Sequence, residues 1–253
     1  MDVTLPATGL VVGLLIGLTG IGGGAVMTPF LILVLGTRPV VAVGTDLVYG
    51  AVTKAAGAWL HWRQGTVDMR LALRLAAASV PAGVLAVLAL QTLPASTEAA
   101  DAAVRRGLGV VLILVALLMA VRLRSDVALT VPERWQRFLQ GPGTYVVGAI
   151  VGALVGFTSV GSGSLLVPFL VSVYPMLTAR IVGTDVFHAA LLVTATALGH
   201  VRGNSVDWTL AASLLIGSVP GVLIGSWMAP KVSSRALRAA LVVLLLLTGV
   251  KML

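Results

Sequence analysis

Apolar residues run along this chain in eight stretches, at about 9–36, 40–60, 71–93, 104–121, 145–174, 180–199, 208–229 and 235–253. Short clusters of Arg, Lys, Asp, Gly and Pro separate them. A helix needs ~20 apolar residues to cross the hydrocarbon of a bilayer, so six stretches predict single transmembrane helices. The first and fifth are too long for one simple crossing and carry glycines at their centres, in Gly20-Ile21-Gly22-Gly23-Gly24 and Ser159-Val160-Gly161-Ser162-Gly163-Ser164. Glycine costs ~1 kcal/mol inside a helix and frees the backbone to leave helical geometry. Each of these stretches therefore predicts two half-helices. Pro29 and Pro168, five residues past Gly24 and Gly163, are expected in the first turn of the second half-helix. Broken backbone at membrane depth is tolerated only where protein or a watery cavity surrounds it.

The pattern occurs twice. Shifted by 139 positions, residues 13–81 fall on 152–220 with 27 of 69 pairs identical. The matches are not only Leu and Ala. Val43-Gly44-Thr45-Asp46 falls on Val182-Gly183-Thr184-Asp185, and His61, Arg63, Val67 and Asp68 fall on His200, Arg202, Val206 and Asp207. A duplicated apolar unit with matching breaks is a mark of secondary transporters. The expected fold is an all-α polytopic membrane protein of two homologous repeats. Each opens with a Gly-broken helix pair, re-entrant or hairpin, followed by three transmembrane helices. Residues 1–124 form the first repeat, 125–143 a polar linker and 144–253 the second.

Charge chooses between two topologies. If each broken stretch crosses once, the Lys and Arg outside the apolar runs divide almost evenly between the two faces. If each doubles back, one face holds Arg63, Arg70, Arg74, Arg122, Arg124, Arg134, Arg137, Arg180, Lys231, Arg235 and Arg238, and the other only Arg38, Arg105, Arg106, Arg202 and Lys251. The second division obeys the positive-inside rule. It predicts inverted halves with both chain ends outside.

Composition narrows the class. The chain is 58% hydrophobic and 10% charged, against roughly 25% charged in soluble domains. Its net charge of +8 sits in short loop clusters without interleaved aromatics, which argues against a nucleic-acid partner. The absence of cysteine excludes disulfides and thiolate metal sites. No cofactor or metal site is expected. The first eight residues carry Asp2 and no Lys or Arg, so the first segment is expected to be retained rather than cleaved as a signal peptide. The partners expected are the lipid bilayer and a small anion, and a homo-oligomer is compatible with the sequence.

Asp46, Lys54 and Asp185 are formal charges inside apolar runs, and His188 joins them. Such residues usually face a cavity or a partner. Lys54 lies two helical turns beyond Asp46 on nearly the same face, and His188 is three residues past Asp185. One reading makes Gly-Thr-Asp a helix N-cap. The other makes Lys54 the attractor of an anion, with Asp46, Asp185 and His188 orienting the site or accepting a proton. The breaks also have two readings. They could be small-residue packing, or exposed N–H groups that cradle an oxyanion. In the second, Gly20, Gly22, Gly23, Gly24, Gly161, Ser162, Gly163 and Ser164 bind substrate with Thr45 and Thr184, and Thr19 and Thr158 add hydroxyls. His61, Arg63, His200 and Arg202 lie at helix ends, either as interfacial turns capped by Asp68 and Asp207 or as gates. Trp59, Trp62 and Trp208 read as interface anchors.

The order Gly13–Pro29, then Gly44-Thr45, then His61–Asp68, repeated in the second half, resembles the sulfite exporter TauE/SafE family of bacterial membrane proteins across nearly the whole chain. The resemblance implies export of sulfite or organosulfonates across the inner membrane, with proton coupling. Many members carry Ser after Gly-Thr, where this chain has Asp46 and Asp185 and a downstream Lys54. The function expected is secondary transport of a small sulfur oxyanion by alternating access. The alternatives are a divalent-metal or sodium transporter using the paired Asp, and a non-transporting membrane subunit. An enzyme is the weakest reading, because no soluble loop is long and no nucleophile–base pair appears.

Overall fold

The computed structural model describes residues 4–19, 23–92, 98–124, 131–228 and 234–253. These form helices joined by short turns, without strands: α1 Thr4–Thr19, α2 Gly24–Leu33, α3 Pro39–Arg63, α4 Met69–Thr92, α5 Glu98–Arg124, α6 Glu133–Gln140, α7 Pro142–Thr158, a π-turn at Ser162–Leu166, α8 Val167–Val173, α9 Thr178–Arg202, α10 Trp208–Met228 and α11 Ser234–Met252. Four segments among them are long and apolar enough to cross a membrane: Met69–Thr92, Glu98–Val121, Thr178–Arg202 and Trp208–Gly225. The pair α6–α7, bent by 66°, makes a fifth. α3 is as long as any of these but carries Asp46 and Lys54. Large apolar side chains such as Leu85, Leu117, Leu223 and Leu247 face outward, as a lipid-embedded bundle requires.

Local chemistry sets the helix starts. Pro39 opens α3 after an extended Arg38, where its missing N–H costs nothing. Asp68 and Asp207 cap α4 and α10 as expected: their Oδ1 atoms accept from Leu71 N at 3.1 Å and Leu210 N at 2.9 Å. The Gly-Thr-Asp segments are not caps. α3 begins at Pro39 and α9 at Thr178, so Asp46 and Asp185 lie two turns inside their helices. Pro168 falls in the first turn of α8, but Pro29 is interior to α2, because α2 resumes directly at Gly24. The polar linker contains a helix, α6, with Trp135 and Phe138 exposed and edge-to-face at 6.3 Å. Trp135, Phe138 and Leu139 mark its apolar face at helical spacing, a short pattern that the sequence expectation passed over inside the linker.

The helices have a defined sense. α1 runs beside α10 in parallel, Gly217 against Pro6, Gly221 against Leu10 and Gly225 against Leu14. α7 runs beside α4 in the same way, Gly148 on Leu75, Gly152 on Ser79 and Gly156 on Gly83. Any side chain at Gly152 or Gly221 would overlap the facing carbonyl, so these close crossings need glycine. α3 and α9 cross antiparallel at the centre: Gly50 meets Val193, Gly57 meets Val186, and Gly44 near the start of α3 meets His200 and Ser205 at the end of α9. α10 returns after α9 and runs with α3. Thus α1, α3 and α10 point one way, and α4, α7 and α9 the other. Between α1 and α3 the chain comes back through α2, and between α7 and α9 through the π-turn and α8.

Two reciprocal hydrogen bonds tie the central helices. Thr45 Oγ1 accepts from Asp207 N at 3.0 Å, and Thr184 Oγ1 accepts from Asp68 N at 2.9 Å. At one end of the bundle Arg180 pairs with Asp68 at 3.3 Å. At the other, Arg38 pairs with Asp101 at 2.8 Å and Arg105 donates to Lys251 O at 3.2 Å.

Candidate functional site

The broken segments meet at the centre of the molecule. α7 ends at Ser159 in the left-handed region, φ 63°, and the chain restarts through Gly161 at φ 135°, a conformation that favours glycine. Gly24, at the start of α2, lies so close to the Ser159 carbonyl that an added Cβ would overlap it. The break in the second half is thus packed directly on the start of α2.

Beside this junction is a cavity of about 890 Å³. Asp46, Lys54 and His61 from α3, Asp185 from α9, Gly23 and Gly24, Ser159, and Gly163 and Ser164 line it. Leu60, His61 and Leu123 on its wall show that it extends toward the end of the bundle where α3 finishes. The Lys54 ammonium donates to Ser162 Oγ, which joins the centre of α3 to the π-turn. Asp46 Oδ2 accepts from both Thr28 Oγ1 and Ser159 Oγ at 2.7 Å. Asp185 is 6% exposed, and among the described residues no donor reaches its Oδ1. The Ser164 hydroxyl is buried and likewise without a partner. One cation, one satisfied carboxylate, one unsatisfied carboxylate and one open hydroxyl therefore share a single chamber.

The residues expected at the site fall into several groups. Gly23, Gly24, Lys54, Asp46, Gly163, Ser164, Asp185 and His61 come together at the cavity, and Ser162 joins them through Lys54. Gly161 shapes the turn without lining the chamber. Gly20 and Gly22 lie outside the described residues, as does the side chain of Thr19. Thr45 and Thr184 do not face the cavity: their hydroxyls hold the backbones of Asp207 and Asp68. Thr158 is also turned away, donating to Leu154 O at 2.7 Å within its own helix. His188 is fully buried behind the wall, with Nε2 against Ser79 Oγ at 2.7 Å. His200 is 1% exposed, with Nε2 against Gly156 O at 3.2 Å. It borders a smaller cavity of about 210 Å³ with Arg38, Gln91 and Asn204. Arg63 lies over the Trp59 ring at 4.6 Å and Arg202 is exposed. Trp59, Trp62 and Trp208 are exposed, as anchors should be. Thr28 and Ser159, the partners of Asp46, were not among the expected site residues. They are an ordinary helical threonine and a turn serine, and only the fold brings them to Asp46.

Comparison with known proteins places the chain among membrane transporters. The family model described as sulfite exporter TauE/SafE matches residues 5–252. The chain is 45% identical to the probable membrane transporter protein YjnA of Bacillus subtilis (strain 168), over the full length of both. It is 30% identical to a probable membrane transporter protein of Xylella fastidiosa (strain 9a5c), over 92% of this chain and 86% of that one. It is 23% identical to the probable membrane transporter protein YdhB of Bacillus subtilis (strain 168), over 85% of this chain and 84% of its relative. No solved structure matches.

Proposed function

This multi-pass membrane transporter belongs to the sulfite exporter TauE/SafE family, and we propose that it carries a small sulfur oxyanion or organosulfonate, sulfite among them, outward across the inner membrane. The observation that carries this reading is Lys54 on the wall of a chamber between the broken segments, donating to Ser162 Oγ. A half-buried ammonium beside hydroxyls, on a largely apolar cavity wall, is a strong attractor for a compact oxyanion. Ser164 supplies a further hydroxyl, and the π-turn supplies backbone donors.

The transport cycle in this reading is alternating access by two inverted halves, coupled to protons. Its support is the antiparallel crossing of α3 and α9 and the opposed directions of α1 and α7. The pairing of Arg180 with Asp68 supports the same arrangement. It sets Arg180 at the same end as Arg63, Arg70 and Arg74, as doubled-back segments require and single crossings forbid. By the positive-inside rule that end is cytoplasmic, and both chain ends are outside. Cysteine-scanning of the loops with an impermeant maleimide tests this, and an inside N-terminus rejects it.

The paired-aspartate cation reading fits the chamber less well. Lys54 would repel a cation there, and Asp46 already accepts two hydroxyl hydrogens. The deciding experiment is flux in proteoliposomes loaded with sulfite or 2-hydroxyethanesulfonate, compared with Na⁺ and divalent metals. Anion efflux that Lys54→Met abolishes supports the proposal. Normal anion efflux by that variant ends it.

A further inference from the structure

The two intramembrane aspartates hold matching positions in the repeat and meet opposite surroundings. Asp46 receives hydroxyl hydrogens from Thr28 and Ser159. Shifted by one repeat, those positions are Val167 and Gly20, so Asp185 has no counterpart to either donor. Its Oδ1 is buried and unpartnered, and the residue lines the central cavity. Lys54 lies within electrostatic range of it. The repeat thus keeps both acids while removing the hydrogen bonds from one of them.

We propose that Asp185 is the proton-carrying carboxylate of this transporter, taking up a proton as the anion binds, while Asp46 only positions α2 and the Ser159 turn. The inference rests on the anion site proposed above. Among the described residues Lys54 is the one cation on the wall, and it faces two carboxylates, Asp46 and Asp185. An arriving anion adds a third negative charge against that single positive one, and in a low-dielectric chamber the surplus is costly enough to draw a proton onto one of the acids. Asp46 has two hydroxyl donors to hold its charge, and Asp185 has neither of their counterparts. The other titratable side chains on the cavity wall are Tyr49 and His61, both from α3. The residues of α1, α5, α8, α10 and the π-turn on that wall are Ile, Gly, Met, Leu, Val, Pro and Ser. His188, one turn beyond Asp185, bonds Ser79 through Nε2 and has a buried Nδ1 without a partner among the described residues, but it lies behind the wall and does not line the cavity. A monoanion bound this way moves with one proton, and the pair carries no net charge.

The test is equilibrium binding to the purified full-length protein by titration calorimetry at pH 6 and pH 8, with methanesulfonate and with sulfite. Methanesulfonate stays ionised throughout, so its pH dependence belongs to the protein. Wild type should bind it ~10-fold or more tightly at pH 6 than at pH 8, by reciprocal linkage of the two ligands. One proton should be taken up per anion, read from the dependence of the heat on buffer ionisation enthalpy. Asp185→Asn should bind within twofold at both pH values and take up no proton, and Asp46→Asn should keep the wild-type dependence. Asp185→Ser answers the same question should the Asn variant not fold. Proton uptake that persists in the Asp185 variants, or disappears in Asp46→Asn, overturns the assignment. Wild-type binding without proton uptake also overturns it, leaving the anion site standing. Wild type that binds neither anion removes the anion site and this inference with it.

Discussion

Lys54 and Asp46 share α3 and face one chamber, but they do different work. The ammonium reaches the π-turn through Ser162, whereas the carboxylate holds α2 and α7 together through Thr28 and Ser159. Substitution should separate these roles. Lys54→Met keeps most of the side-chain volume but leaves Asp46 and Asp185 without the cation they face, a removal that destabilises. It should lower anion efflux at least tenfold per folded transporter, and its melting temperature should fall below wild type. Thr28→Val and Ser159→Ala each remove one hydroxyl bond to a buried carboxylate, worth about 1–2 kcal/mol in a membrane setting. Each should lower the melting temperature in a detergent thermal-shift assay, and the double variant should fall short of additivity because both act on Asp46 Oδ2. Unchanged melting in both single variants would remove Asp46 from the fold's central junction. At this scale the charged members of the site were legible, because Asp46, Lys54 and Asp185 are anomalies in apolar runs. Their satisfaction was not. A hydroxyl at residue 28 or 159 is unremarkable in sequence, and the difference between the two aspartates depends on which hydroxyls the fold delivers.

Among the elements, the broken segments were the most legible feature and their register the least. Glycine runs announced the breaks, and the sequence resumes helix at Gly24 and through the π-turn at Ser162. The prolines misled for α2, since Pro29 lies five residues inside it. Gly-Thr-Asp looked like a cap, but Pro39 and Thr178 open their helices more than a turn earlier. Helix α6 went unseen within the linker although Trp135, Phe138 and Leu139 keep helical spacing, because the segment is only eight residues long within a polar stretch. The glycines of α1, α7 and α10 outside the breaks drew no site expectation, and their role is packing. Gly148, Gly152 and Gly156 form a stripe on α7 that lets α4 approach backbone to backbone. Gly152→Ala would place a methyl group on the Ser79 carbonyl, where rigid backbone must move. The expected cost is about 1–3 kcal/mol. Gly50→Ala on α3 meets only a Val193 methyl at 3.3 Å, so its loss should be clearly smaller. Thermal melting of the two variants side by side checks this, and equal destabilisation would refute the view that the stripe is the tighter contact.

Across the whole molecule the two halves are not in the same state. His61 lines the open central cavity, half-buried, with Nδ1 on Thr66 Oγ1 at 2.8 Å. Its repeat counterpart His200 is sealed inside, with Nε2 on Gly156 O. The repeat counterpart of Gly156 is Gly17, which lines the same cavity as His61. In the alternating-access reading the halves exchange conformations, so His61 should close onto Gly17 O as His200 leaves Gly156 O. The cavity's end where α3 finishes would then shut as the end near Arg38 and His200 opens. The chain has no native cysteine, so single His61→Cys and His200→Cys proteins can be labelled with a small hydrophilic maleimide without background. Without substrate, the cysteine at 61 should react quickly and that at 200 slowly. A bound anion that shifts the population toward the opposite state should slow the first and speed the second together, because one equilibrium governs both. If the two rates change independently, or neither responds to sulfite or to a sulfonate, the halves do not exchange states and the alternating-access reading fails.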